Sequence, residues 1–448
     1  QIMYIANPGN VVQALDARTG DFIWEHRRDM DERRRPGAQM RSLAIYQDLI
    51  ILNTVDAHIV GLDARTGEVR WDTPVMPDFD GYGFSSGPII ADGIIVAGLR
   101  GCERYREETC YIVGLDASTG QVAWKTSTVA RPGERGGDTW GDLPVLFRAG
   151  SDAWIPGSYD PVSGLVYYGT SQAKPWTRDA RGTDGDALYS NSTLALDPAT
   201  GEMKWYYQHL PGDTHDMDET FERILIDYDG RQSVFSMGKL GILWELDRVT
   251  GSFVNAIDLG YQNILDVSPE TGEVTYRDGM VVGVFEELYF CPSTGGVKSL
   301  RAMSYHPTTG AMYIPLNLHC ETAEFLPVEQ REGGGGTGGV RERQNHFHPD
   351  SPDQLGEFQA LDIRTGETLW QNRRRAPYNT AALTTAGGLV FQGTEDGGFY
   401  GFHAETGEQL FHSMADSAIQ SSPMTYEVNG TQYVSVISTG SILTFALP

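Results

Sequence analysis

A chain of 448 residues carrying a formal net charge of −26, with its basic residues scattered, offers no positive stripe for a phosphate backbone, which excludes nucleic acid as a partner. Hydrophobic content of 40% against 21% charged places it among globular proteins, and the absence of any run of about 18 apolar residues excludes a membrane span by helix. The 53 glycines and 22 prolines suit many tight turns between short strands, and helical periodicity is scarce.

The chain opens on QIMYIANPGNVVQALDARTG. Gln1 carries no basic-then-apolar leader, so any secretory signal has been removed or lies outside this chain. The decapeptide LDARTGDFIW from Leu15 then returns as LDARTGEVRW from Leu62, LDASTGQVAW from Leu115 and LDPATGEMKW from Leu196. It continues as LDRVTGSFVN from Leu246, LDIRTGETLW from Leu361 and FHAETGEQLF from Phe402. A weaker echo, YHPTTGAMYI from Tyr305, falls in the longest gap, and most gaps run about 41 to 53 residues.

A repeat of that period marks a propeller or solenoid. In each unit an apolar strand such as LIILNTV delivers Leu-Asp, and Asp-x-x-Thr-Gly turns the chain, with Asp and Thr bonding nearby amides and Gly supplying positive φ. The next strand ends in Trp, a ring large enough to wedge between neighbouring sheets. The predicted fold is all-β, an eight-bladed propeller of four-stranded antiparallel blades in a single domain over 1–448. The two larger gaps have room for an extra blade each. The opening lies in the second half of a blade, so either an earlier strand precedes it or TQYVSVIS and SILTFALP close the ring from the C-terminus. REGGGGTGGVRERQN, residues 331–345, reads as a flexible Gly-rich loop.

The four cysteines fall as Cys102 with Cys110 and Cys291 with Cys320, which favours two disulfides in an oxidising compartment over four unrelated thiols. No Cys-x-x-Cys-His is present, so the chain holds no c-type haem of its own.

Over essentially its whole length the chain resembles the quinoprotein alcohol dehydrogenases, enzymes of pyrroloquinoline quinone (PQQ), through this repeat and through several non-repeat segments. PGDTHDMDE from Pro211 is similar to the family's Pro-x-Asp-x-Trp-Asp-Tyr segment. The resemblance makes Asp216 the catalytic base, with His215 in the place of Trp; a carboxylate suits removal of the hydroxyl proton. GLRGCE supplies Glu103 and GTSQAKPW supplies Gln172, where the family has Asn, as metal ligands together with Asp216. Hard oxygen donors of this kind suit Ca²⁺. Asp218 matches an extra carboxylate of the lanthanide-dependent members, so a lanthanide ion is the alternative.

By the same resemblance Trp154, in SDAWIPGSYDP, is the floor under the quinone ring. Lys239, in GKLGILWELDR, takes the position that hydrogen-bonds the reactive quinone oxygen and polarises it. Arg41, Ser85 and Arg100 fall where counterparts contact the cofactor's carboxylates or carbonyls. Cys102 and Asn379 complete the cofactor-facing set, Cys102 where a small residue is usual and Asn379 where methanol oxidisers place Trp. The chain departs from the family in RRRPGAQMR before Arg41, which lacks the adjacent cysteines, and in Ser299 and Leu300 replacing Asn and Trp.

These losses widen the mouth and imply a bulky primary or secondary alcohol, a trichothecene such as deoxynivalenol being one example. Electrons would leave for a separate acceptor, a soluble cytochrome c or similar, in the periplasm. The rival expectation is a cofactor-free scaffold, like the outer-membrane assembly propellers that share the repeat.

Overall fold

In the computed structural model residues 1–29, 40–76, 81–108 and 110–446 are described, and their regular secondary structure is almost wholly β-strand. Residues 33–39 of the stretch before Arg41, and the last two residues of SILTFALP, lie outside the described residues. Six four-stranded antiparallel sheets form meanders along the chain, with a three-stranded sheet at each end of it. The first strands of successive sheets are neighbours: Ala44–Tyr46 lies beside Ile89–Ala91, which lies beside Ser158–Asp160, which in turn lies beside Ile224–Tyr228.

The repeated decapeptide forms the turn from third to fourth strand. Asp63 accepts the amides of Arg65 at 2.9 Å and Thr66 at 3.0 Å, and Gly67 closes the turn at φ 74°. The same bonds recur at Asp16, Asp116, Asp197, Asp247 and Asp362. Where the last copy lacks Asp, His403 Nδ1 accepts the amide of Glu405.

Five of the turn glycines are needed twice, because the Trp of one sheet lies over the turn glycine of the next. A Cβ on Gly67 would meet the Trp24 ring at 2.5 Å, and Trp71, Trp124, Trp205 and Trp370 cover Gly120, Gly201, Gly251 and Gly407 in the same way. Trp124 Nε1 also donates to the Pro198 carbonyl of the following sheet at 2.8 Å. In the copy with Asn255 in place of Trp, Ile257 covers Gly366 instead.

Four expectations need correction. The echo at Tyr305 closes the turn between Ser304–His306 and Ala311–Asn317, a first and a second strand, so it is the same turn chemistry at a different place. The two long gaps hold no additional four-stranded sheet. The first is filled by two short 3-10 turns and the ribbon of Ala149–Gly150 with Ala173–Lys174. The second holds the ribbon of Leu265–Val267 with Val274–Tyr276 and a three-stranded sheet of Glu287–Phe290, His319–Leu326 and Gly339–Phe347.

That last strand occupies the second half of the stretch read as a Gly-rich loop. Its residues pair in register, Thr322 with Gln344 and Cys320 with His346, and its charged side chains mark an exposed sheet edge, which has no apolar pattern to detect. The C-terminal strands, finally, do not add to the first sheet among the described residues. Met424–Val428, Thr431–Ser438 and Ser441–Ala446 pair with one another. The two terminal sheets instead face each other across a small cavity lined by Ile2, Met3, Ala17, Met424 and Tyr426.

Candidate active site

In an antiparallel meander the start of the first strand and the loop from second to third strand share one end of the sheet, while the Asp-x-x-Thr-Gly turns lie at the other. Every candidate residue lies at the first end. Arg41, Ser85, Trp154, Asp216, Asp218 and Asn379 precede first strands, whereas Arg100, Cys102, Glu103, Gln172 and Lys239 follow second strands.

The loop from Pro211 is shaped by Asp213, whose carboxylate accepts the amides of His215 at 2.9 Å and Met217 at 2.8 Å. The three aspartates of this segment therefore divide their work: Asp213 caps the turn, while Asp216 and Asp218 face Lys239. Asp216 adopts φ 62°, a left-handed conformation uncommon for a residue other than glycine. Lys239 Nζ lies 3.0 Å from Asp216 Oδ1 and 3.0 Å from Asp218 Oδ2, and donates to the Asp216 carbonyl at 2.8 Å. His215 turns into the core against Phe290, with ring centroids 5.1 Å apart, and burial pushes its imidazole down to about 4, leaving it neutral.

Gln172 joins the same cluster. Its backbone amide donates to Asp218 Oδ1 at 3.1 Å and its side-chain Nε2 donates to Asp216. Its Oε1 is buried and has no partner, which is rare for a buried acceptor and asks for an explanation. Burial pushes the Asp216 carboxyl up to about 7; Lys239 pulls it down and the charge of Asp218 adds to the rise.

Glu103 stands to one side of this cluster, and Lys174 lies between. Its Nζ is 2.8 Å from Asp152 Oδ2 and 3.6 Å from Glu103 Oε2. Asp152 also accepts the Cys102 amide at 2.9 Å and the Ser171 hydroxyl at 3.2 Å. Glu103, Asp216 and Asp218 do not come within 4.8 Å of one another as a trio; the groups at that spacing among the described residues rest on disulfide-bonded cysteines. The four carboxylates Glu103, Asp152, Asp216 and Asp218 against the ammoniums of Lys174 and Lys239 leave a formal charge of −2 (−4 + 2).

The second half of the site is aromatic and cationic. Trp154 is half-buried, its ring edge-on to Phe221 at 5.5 Å. Ser85 Oγ donates to the Trp154 carbonyl at 3.2 Å, and Arg41 Nη1 donates to the Ser85 carbonyl at 2.8 Å. The Arg41 guanidinium lies 5.1 Å from the Trp154 ring centroid. Burial and then the nearby charge of Arg100 lower its pKa, and Arg100 itself donates only a long bond, 3.5 Å, to the Phe84 carbonyl. No carboxylate among the described residues pairs with either guanidinium.

Both expected disulfides are present, Cys102–Cys110 and Cys291–Cys320, so Cys102 offers the site a backbone amide and no free thiol. Asn379 sits apart from the acidic cluster, donating to the Ile419 carbonyl at 3.0 Å and accepting from Arg301 Nη2 at 3.2 Å. Lys174, Asp152 and Arg301 were not singled out from the sequence. Each stands two residues from a residue that was: Gln172, Trp154 and Ser299.

Residues 1–259 and 284–434 match the family model described as "Glucose/ethanol/alcohol dehydrogenase, beta-propeller domain". The quinoprotein alcohol dehydrogenase PedH of Pseudomonas putida is 30% identical over 470 residues, covering 98% of this chain and 77% of its own length. The quinohemoprotein alcohol dehydrogenase of Comamonas testosteroni is also 30% identical, over 97% of this chain, which spans 65% of that protein's length. Among solved structures, a europium-containing methanol dehydrogenase superposes with a TM-score of 0.89 at 26% identity, covering 97% of this chain and 80% of the other.

The chain belongs to the quinoprotein alcohol dehydrogenase family, and it is an oxidoreductase of that class. Relatives named quinohemoproteins are longer than this chain. No helix among the described residues is long and apolar enough to cross a membrane.

Proposed function

We propose that this chain oxidises an alcohol with PQQ held beside a Ca²⁺ ion. The observation that carries the reading is the unpartnered, buried Gln172 Oε1 within an acidic cluster, accompanied by a half-buried indole under the Arg41 guanidinium, with Arg100 near Arg41. Oxygen donors with a surplus negative charge fit a hard cation. A flat aromatic tricarboxylate fits Trp154 beneath Arg41, with Arg100 near Arg41 and Ser85 bonded to the Trp154 carbonyl.

Glu103, Gln172, Asp216 and Asp218 would hold the cation, and Trp154, Arg41, Ser85, Arg100 and Lys239 the quinone. Bound there, the quinone supplies a hydride acceptor and the cation polarises it. Asp216 accepts the hydroxyl proton of the alcohol, a task that suits a carboxylate. Lys239 fixes Asp216 and Asp218 through one ammonium and keeps the base oriented.

Several further features fit the reading. Exposed Leu300, with Ser299 and Asn379, leaves a wide mouth for a bulky primary or secondary alcohol, such as the trichothecene deoxynivalenol. The net charge of −26 suits a basic electron acceptor such as a soluble cytochrome c, and two disulfides suit the periplasm. The facing terminal sheets support closure into one eight-bladed domain over 1–448.

A cofactor-free scaffold is the competing reading. The BamB structure from Moraxella catarrhalis shares the fold alone, with a TM-score of 0.55 at 15% identity. A scaffold gives no account of a buried unpaired acceptor among four carboxylates. The test is absorbance and dye-linked turnover over an alcohol panel after mixing with PQQ and CaCl₂. Turnover should require both, NAD should not replace them, and Asp216→Asn should bind PQQ yet lose about 10²–10⁴-fold in rate. Full activity without quinone and metal, or normal turnover of the variant, would overturn the assignment.

A further inference from the structure

We propose that Lys174 sets the charge of the ion this site accepts, holding it to a divalent cation although Asp218 adds a carboxylate. The proposal rests on the metal-binding reading above. Lys174 is a built part of the site: its side chain is 11% exposed, and its backbone pairs with Ala149 in the ribbon beside Gln172. Its ammonium is shared between Asp152 at 2.8 Å and Glu103 at 3.6 Å. Asp152 is itself fixed by the Cys102 amide and the Ser171 hydroxyl, so the ammonium is held against the ligand side of the cluster.

The consequence is electrostatic. An ion that takes Glu103 must share that carboxylate with a fixed positive charge. Repulsion from that charge grows with the charge of the ion, so a trivalent ion is penalised half again as much as a divalent one. Without Lys174 the four carboxylates and Lys239 would leave a formal surplus of −3 (−4 + 1), which favours a trivalent ion. With both lysines in place the formal surplus is −2, which one divalent ion neutralises.

The test measures binding, not turnover. Dissociation constants for La³⁺ and Ca²⁺ are determined on the metal-free full chain by calorimetry, and the quantity compared is the La³⁺-to-Ca²⁺ affinity ratio. Lys174→Met should raise that ratio about tenfold, the order expected for one unit charge close to a ligand. Asp152→Asn keeps the shape and the ammonium, and should lower the ratio. The double variant restores the formal charge and should return close to the wild-type ratio. Should Lys174→Met fail to fold, Asp152→Asn carries the test alone in the opposite direction. A ratio unmoved by the substitutions, or moved the same way by both, overturns the role of Lys174. If wild type and variants bind neither ion, the metal site itself is wrong and the proposal falls with it.

Discussion

Replacing Lys239 by Met removes the one group that neutralises both Asp216 and Asp218. In the wild type this ammonium is 6% exposed, ion-paired at 3.0 Å to each carboxylate and bonded at 2.8 Å to the Asp216 carbonyl. The stranded carboxyl groups are 18% and 9% exposed, so water replaces the lost partner only in part. Breaking a buried pair from one side costs about 3–5 kcal/mol. Asp216 relieves part of that by taking up a proton, since burial already pushes it up to about 7.

The net loss at neutral pH should therefore lie at the lower end, about 3 kcal/mol for the metal-free protein. Adding Ca²⁺, which supplies the missing positive charge, should stabilise Lys239→Met more than wild type. Adding Asp218→Asn to the variant removes one stranded charge and should recover about 1 kcal/mol or more, a coupling typical of contacting groups. Paired denaturant unfolding curves, with and without Ca²⁺, measure all of these. The reasoning fails if metal-free Lys239→Met unfolds within about 0.5 kcal/mol of wild type, the range of an ordinary surface substitution.

Asn379→Trp should narrow the mouth and cut the preference in kcat/KM for bulky over small alcohols by about tenfold or more, and an unchanged preference would show that this position does not face substrate. Asp160 offers a pH test far from the chemistry: burial raises its carboxyl, but the Val162 amide, Ser163 and Arg248 hold it below the usual carboxylate range. Its stabilisation is thus complete above the unfolded value of about 3.9 and lost as pH falls through the folded one, so Asp160→Asn should flatten the acid limb of a stability–pH curve. With a basic cytochrome c as acceptor, turnover should fall as salt rises while turnover with a neutral dye stays level; a salt-independent cytochrome rate would leave the −26 charge to solubility.

The scaffold was legible because its physics is local and repeated. An Asp two and three residues before the amides it accepts, a Gly at positive φ and a Trp at fixed spacing can be read from one decapeptide. The edge strand Gly339–Phe347 was not legible, since an exposed charged strand gives the same pattern as a loop. Neither was the pairing of the C-terminal strands, since strands that meander locally and strands that cross to the first sheet carry the same alternating pattern. At the site, resemblance located Asp216, Asp218, Gln172 and Lys239, which the fold brings together. Spacing said nothing of Lys174, because an ammonium between Asp152 and Glu103 arises only when three separate loops converge.

The two ends of the sheets explain why these readings had such different success. At the turn end, five turn glycines lie under the Trp of the preceding sheet, so a side chain added in one unit would overlap its neighbour well inside van der Waals contact. That coupling forces the units to stay alike. At the opposite end no such contact repeats, and each loop is free to carry a different side chain. Chemistry can therefore diverge there without disturbing the stack, and a structure at 15% identity still shares the fold. It follows that the repeat identifies the architecture, whereas the proposed site is built from segments between repeats, Gly98–Glu103, Ser151–Trp154, Gly169–Trp176 and Pro211–Glu219. The buried unpaired oxygen of Gln172 lies in one of those segments, where packing alone gives no reason for it.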